Sequence, residues 1–302
     1  KITIPDGVTN IGNYTFEHCT SLTSIVIPNS VTSIGEMAFD GCTSLISIAI
    51  PDSVTSIGHQ AFYGCTSLTS VEIPDSVTDI GVSVFSHCDS LTEINVDENN
   101  TSYSSENGIL FDKDKTVLIK YPASKADKSY SIPNTVTEIK DVAFYGCSLL
   151  TSVIIPNSVT KIGNSVFANC GSLTEINVDE NNTSYLSENG ILFNKDWTVL
   201  VQYPAGKADK SYSIPYIVTK INESAFDGCA SLTSVEIPDG VTDIRMYTFK
   251  NCTSLRSIKI PDGVTNIEWF AFENCSSLSS IVIPNNVTSI GGLVFSGCTS
   301  LI

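Results

Sequence analysis

Basic residues are scarce in this chain. Lys and Arg number 16 against 32 Asp and Glu in 302 residues, a formal charge of −16 at pH 7. A protein this acidic repels phosphate backbones and anionic lipid, so neither nucleic acid nor a membrane surface is an expected partner. No apolar run approaches the roughly 18 residues of a membrane-spanning helix. Histidine occurs three times, as His18, His59 and His87, never beside a distinctive Ser or Cys nucleophile. C-x-x-C, G-x-S-x-G, P-loop and G-x-G-x-x-G patterns are all missing, so no catalytic group, metal or cofactor is expected. Charged residues make up only 16%, against 42% hydrophobic. That is apolar material for a large core, which excludes wholesale disorder.

What the chain does have is repetition. Cysteine falls at 19, 42, 65, 88, 147, 170, 229, 252, 275 and 298. Only two spacings occur, a short one as from Cys19 to Cys42 and a long one as from Cys88 to Cys147. A phenylalanine stands three residues before each cysteine, from Phe16 to Phe295, and a Val-Thr pair recurs from Val8-Thr9 to Val287-Thr288. The long steps contain an insert, present twice as near copies around 97–129 and 179–211. Cys88 and Cys170 each open a long step, so a larger unit is duplicated above the 23-residue one. Residues 1–302 therefore read as one repeat array rather than as separate globular domains.

Each unit is too thin to bury its own apolar residues. In Leu22-Thr23-Ser24-Ile25-Val26-Ile27, Ile25 and Ile27 alternate with Ser24 and Val26, the period of a strand. Pro28 ends the strand, and Pro-Asn-Ser or Pro-Asp-Gly supplies turn chemistry. Val31, Ile34, Phe39 and Cys42 return to the core. Stacking unit on unit gives every Leu, Ile and Phe a neighbour above and below, and adds the strands into one parallel sheet about 4.8 Å per turn. Twelve residues take the Ile27 role, from Ile4 to Ile283, which predicts twelve turns. The fold expected is an α/β-type repeat solenoid, mostly strand and loop with little helix.

The unit L-x-x-I-x-I-P-x-x-V-T-x-I-G-x-x-A-F-x-x-C resembles the leucine-rich repeat of the BspA-like (Treponema-type) family, over nearly the whole chain. The resemblance implies a right-handed superhelix with a concave parallel sheet. It also implies a bacterial or protist protein, secreted or held at the cell surface, that serves adhesion, host-protein binding or coaggregation. Members carry a signal peptide, caps and an anchor; this chain opens at Lys1 in mid-strand and stops at Leu301-Ile302, so it is expected to be a segment of a longer protein.

Equivalent cysteines on successive turns keep parallel Cα–Cβ vectors near the ~4.8 Å strand spacing, too far apart for the ~3.8 Å of a disulfide, so free core thiols are expected. Asp112-Lys113-Asp114-Lys115-Thr116 starts like a calcium loop but places Val117 and Ala123 where Gly and Glu would be needed. The acids after proline (Asp6, Asp52, Asp75, Asp239, Asp262) read as turn residues.

The ligand surface expected is the strand face. Its first outward column is Ser or Glu; its second is Val26, Ala49, Glu72, Asn95, Ser131, Ile154, Asn177, Ser213, Glu236, Lys259 and Val282. A broad, small-residue, mildly acidic sheet suits a protein partner, such as host extracellular matrix or another cell-surface protein. No aromatic interrupts that face, which argues against a sugar site there. Each insert reads as a β-hairpin: Gly108–Phe111 with Thr116–Pro122, and its copy from Gly190 to Pro204. Trp197 replaces Lys115 at the second and is either a contact residue or a ring packed on its own hairpin. The functions weighed are a non-catalytic adhesion module, a structural spacer, an intracellular leucine-rich-repeat interaction module, and an enzyme resting on Glu106 or Glu188.

Overall fold

A proline at the end of most alternating strands and a phenylalanine at the far side of each unit turn the chain back on itself once per repeat. The computed structural model describes residues 2–302; the expected mid-strand opening at Lys1 lies outside them. The chain divides into two compact units: the residues up to Ala126 with Thr135–Cys147, and Asp127–Asn134 with Ser148–Ile302. Within each it coils as a parallel β-solenoid, about twelve turns in all, with no helix among the described residues.

Two ladders run along the stack. The first holds the alternating strands; in the second unit Ser211–Ser213 pairs with Ser234–Glu236, then Ser257–Lys259, then Ser280–Val282. The second ladder is built from two-residue strands of the Val-Thr-x-Ile segment, such as Ser33–Ile34 on Ser56–Ile57. Its Val31, Val54 and Val77 are fully buried. The turn between ladders closes from Val31 N–H to the Pro28 carbonyl at 3.0 Å. Ser30 and Ser53 donate from that turn to the preceding coil, at 2.6 Å to the Val8 and Val31 carbonyls.

The expected single sheet is interrupted. First-ladder strands form three sheets of three, three and four strands, and Ser24–Ile27 pairs as no strand at all. The breaks follow Glu93–Val96 and Glu175–Val178, the strands just before the inserts. Each insert contains the expected hairpin, Ile109–Asp112 with Val117–Lys120 and Ile191–Asn194 with Val199–Gln202, and a further strand, Tyr103–Glu106 or Tyr185–Glu188, extends it to a three-stranded antiparallel meander. The last strand rejoins the second ladder, Val117–Lys120 beside Glu138–Ile139 and Val199–Gln202 beside Lys220–Ile221.

The core of each unit holds a column of aromatic rings. Phe16, Phe39, Phe62 and Phe85 stack at 5.1, 5.4 and 5.9 Å between ring centroids. Tyr203, Phe226, Phe249, Phe272 and Phe295 do the same at 5.3, 5.1, 5.3 and 5.8 Å. Tyr121 and Tyr203, which a reading confined to phenylalanine omits, are rungs of these columns and 1% exposed; Tyr121 lies 5.1 Å from Phe144. The ten thiols are free and nine are buried; Cys19 is exposed. Cys42 and Cys65 point Sγ at the Phe16 and Phe39 carbonyls, at 3.1 and 3.2 Å. Burial pushes the Cys42 thiol up to about 11 and Cys88 to about 12.

Around each of the ten Phe rungs the backbone alternates handedness. The residue two before it is left-handed in every such coil, from Tyr14 (φ 59°) through Val142 (φ 53°) to Leu293 (φ 56°). The residue two after is left-handed as well, for example His18 (φ 55°) or Gly41 (φ 66°). This geometry turns alternate N–H groups along the stack: Tyr14, Phe16 and His18 donate to the Glu36, Ala38 and Asp40 carbonyls of the next coil at 2.9, 2.8 and 2.6 Å. Left-handed backbone costs a non-glycine residue about 1–2 kcal/mol, and these bonds offset it.

Candidate functional site

The predicted second-column residues gather sheet by sheet. In the first unit Ala49 registers with Glu72 and Glu72 with Asn95. In the second, Ser131 registers with Ile154 and Ile154 with Asn177, while Ser213, Glu236, Lys259 and Val282 form a separate row. Ser213 donates to Glu236 Oε2 at 2.8 Å. Val282 and Val26 are 80% and 81% exposed, and Val26 lies outside any strand.

The inserts wall off the edge of this face, which periodicity alone does not reveal. A strand left without a neighbour exposes unpaired N–H groups. Here the Ile94 N–H donates to the Gly108 carbonyl at 2.8 Å and the Val96 N–H to Ser105 Oγ at 3.0 Å. The copy repeats both, Ile176 to Gly190 at 2.9 Å and Val178 to Ser187 at 3.2 Å. Gly108 and Gly190 must be glycine: φ is +75° and +77°, and a Cβ would stand 2.7 and 2.8 Å from the Cβ of Glu93 and Glu175. Tyr103 and Tyr185 bridge the other ladder, accepting at their phenol oxygens from Ile80 and Ile162 at 2.9 and 3.0 Å.

Beside the first wall lies a hollow of about 310 Å³ lined by Ile50, Asp52, Glu72, Pro74, Asn95 and Asp97, among others. It is polar and acidic, suited to a basic or hydrogen-bonding protein segment. Asp112, the residue that opens the calcium-like stretch, caps its own turn instead, accepting from Thr116 Oγ1 and the Val117 N–H at 2.7 and 2.8 Å. Trp197 packs on Phe193 of its own meander at 4.9 Å. Lys115, its counterpart, pairs with Glu106 at 2.6 Å. Glu17, His18 and Asp40 bring one imidazole and two carboxylates within 4.8 Å of one another at the surface.

The pattern of the BspA type leucine-rich repeat region matches in six copies, over residues 1–107, 123–194 and 207–302. The chain belongs to the BspA type leucine-rich repeat family. A leucine-rich cell surface protein from Faecalibacterium prausnitzii A2-165 is 34% identical, with 99% of this chain and 86% of that one covered and a TM-score of 0.59. A leucine-rich repeat protein from Eubacterium ventriosum is 25% identical, covering 98% of this chain and 82% of that one, TM-score 0.53. The pneumococcal vaccine antigen PcpA, 23% identical over 96% of this chain and 78% of its own with a TM-score of 0.59, shares the fold. A comparison with curated proteins finds no match. This BspA type chain is thus related to bacterial surface leucine-rich-repeat proteins.

A second surface lies away from the strand face and was passed over in the sequence. Tyr247, Trp269, Phe270 and Leu293 replace the mostly polar residues that other coils carry two or three positions before the column phenylalanine. Comparing those positions coil by coil is the signal that finds it.

Proposed function

We propose that this chain is a non-catalytic protein-recognition module at the bacterial cell surface, binding host matrix or neighbouring-cell proteins through its strand faces and insert walls. What supports this is the duplicated wall. Both inserts close the edge of a strand face with the same glycine-to-amide bond, so each leaves its outward side chains free while blocking chain-to-chain strand pairing. Kinship with a cell-surface protein at 34% identity supports the location. The test is surface plasmon resonance of the full chain against fibronectin, laminin and collagen. Binding to at least one is expected, weakened about tenfold or more in Glu72→Lys/Asn95→Lys or Glu236→Lys. Failure of all three matrix proteins to bind would favour a spacer.

A further inference from the structure

The first two coils carry a cluster of donor groups that belongs to neither the strand faces nor the walls. Glu17, His18 and Asp40 each offer one ligand atom, two carboxylate oxygens and a ring nitrogen, all within 4.8 Å of one another. Donors on one zinc ion, each about 2.0–2.2 Å from it, stand up to about 4.4 Å apart. Small side-chain rotations therefore let all three share one ion. The backbone holds the set together. His18 N–H donates to the Asp40 carbonyl at 2.6 Å, which ties the two coils at this point. His18 is left-handed, with φ 55°, and its imidazole lies across Gly41 of the next coil. A Cβ on Gly41 would stand 2.2 Å from its Nδ1 and 3.0 Å from its Cε1.

The equivalent positions of the second unit carry their own cation. There the residue after the column phenylalanine is Asp227, Lys250 and Glu273 on successive coils. Lys250, on the coil between the two acids, pairs with Glu273 at 2.7 Å. Asn251 takes the place of His18 and donates to Asp227 at 3.0 Å. In the first two coils the acids Glu17 and Asp40 are direct neighbours along the stack. Neither is paired with a lysine or arginine among the described residues.

We infer that Glu17, His18 and Asp40 bind a divalent transition metal, Zn²⁺ best, which supplies to these coils the positive charge that Lys250 supplies in the second unit. Imidazole nitrogen with carboxylate oxygen is a donor set that zinc accepts, whereas calcium and magnesium take oxygen donors. Three protein ligands leave a fourth tetrahedral position to water. Because the ligands come from two successive coils, the ion clips one coil to the next. This site is separate from the strand faces and does not depend on them.

The test is isothermal titration calorimetry of ZnCl₂ into the full chain, stripped with chelator and free of any affinity tag. A first equivalent of Zn²⁺ should bind, and binding should weaken about tenfold or more in His18→Asn and in Asp40→Ser. Other coils carry asparagine at the His18 position (Asn169, Asn251, Asn274) and serine at the Asp40 position (Ser86, Ser296), so both variants suit the coil. Circular dichroism checks that each keeps the wild-type fold. Cys19→Ser should bind Zn²⁺ as the wild type does, and CaCl₂ should bind about tenfold more weakly or not at all. No binding of Zn²⁺, unchanged binding in His18→Asn, or calcium held as tightly as zinc overturns the inference. So does loss of binding in Cys19→Ser, which would place the ion on the exposed thiol instead.

Discussion

Removing one interior ring tests the stacking argument most directly. Phe226 is fully buried, with Tyr203 at 5.3 Å and Phe249 at 5.1 Å. A buried aromatic hides about 150–250 Å², and at about 25 cal/mol per Å² most of that is lost in Phe226→Ala. Two stacking contacts of about 0.5–1.5 kcal/mol each go with it. The gap cannot close, because the coils on both sides are tied by backbone bonds, Tyr203 N–H to Ala225 at 2.8 Å and Phe226 N–H to Thr248 at 2.9 Å. The expected cost is about 4 kcal/mol. In a unit of this size that lowers the melting temperature by about 10 °C, read by far-ultraviolet circular dichroism. Phe226→Leu, which retains most of the volume, should cost about 1.5 kcal/mol or less. An alanine variant that melts within about 2 °C of wild type would refute the idea that ring-on-ring burial orders the coils.

Two further outcomes follow from buried titrating groups. Burial raises Asp227 to about 7, opposed by the hydrogen bond from Asn251 at 3.0 Å. Its folded value therefore lies above its unfolded one near 3.8. Between those values the folded state holds a proton that the unfolded state has lost, so this group's contribution to stability is fully present below about pH 4 and is lost as pH rises through 7, by a few kcal/mol at most. Denaturant titrations of wild type and Asp227→Asn from pH 4 to 8 should show a steeper fall in wild type, since Asp40, also raised by burial, remains in both. With a disulfide-exchange reagent at pH 8, the exposed Cys19 should react within minutes and the nine buried thiols only on unfolding in guanidinium; several fast thiols in the native state would contradict the buried cysteine column.

The repeat, its period and the inward columns are legible because the same residue types recur at the same offsets. Tyr121 and Tyr203 escape that reading for two reasons. Tyrosine stands in for phenylalanine, and each lies further along the chain from the preceding rung, Phe85 or Phe167, than the repeat period allows. The first strand of each meander, Tyr103–Glu106 or Tyr185–Glu188, lacks an apolar alternation because most of its residues are half-buried rather than alternately buried and exposed. The outward columns follow from period 2, but the wall beside them depends on tertiary contacts of Gly108 and Gly190, which local pattern does not encode. Nor do the left-handed residues before each phenylalanine carry a glycine signal; the N–H groups of Tyr14, Met37 and Gln60 donate to carbonyls of the next coil, a contact that local pattern does not show.

Those left-handed positions accept valine, serine, methionine, tyrosine and phenylalanine alike. Most side chains there stand outside the core, although Ser224 is buried against Ser165 at 2.8 Å. Each turn thus offers an interchangeable socket on an unchanging frame, and a run of such sockets lets a lineage redraw what its surface presents to the world while the oily spine behind it stays as it was.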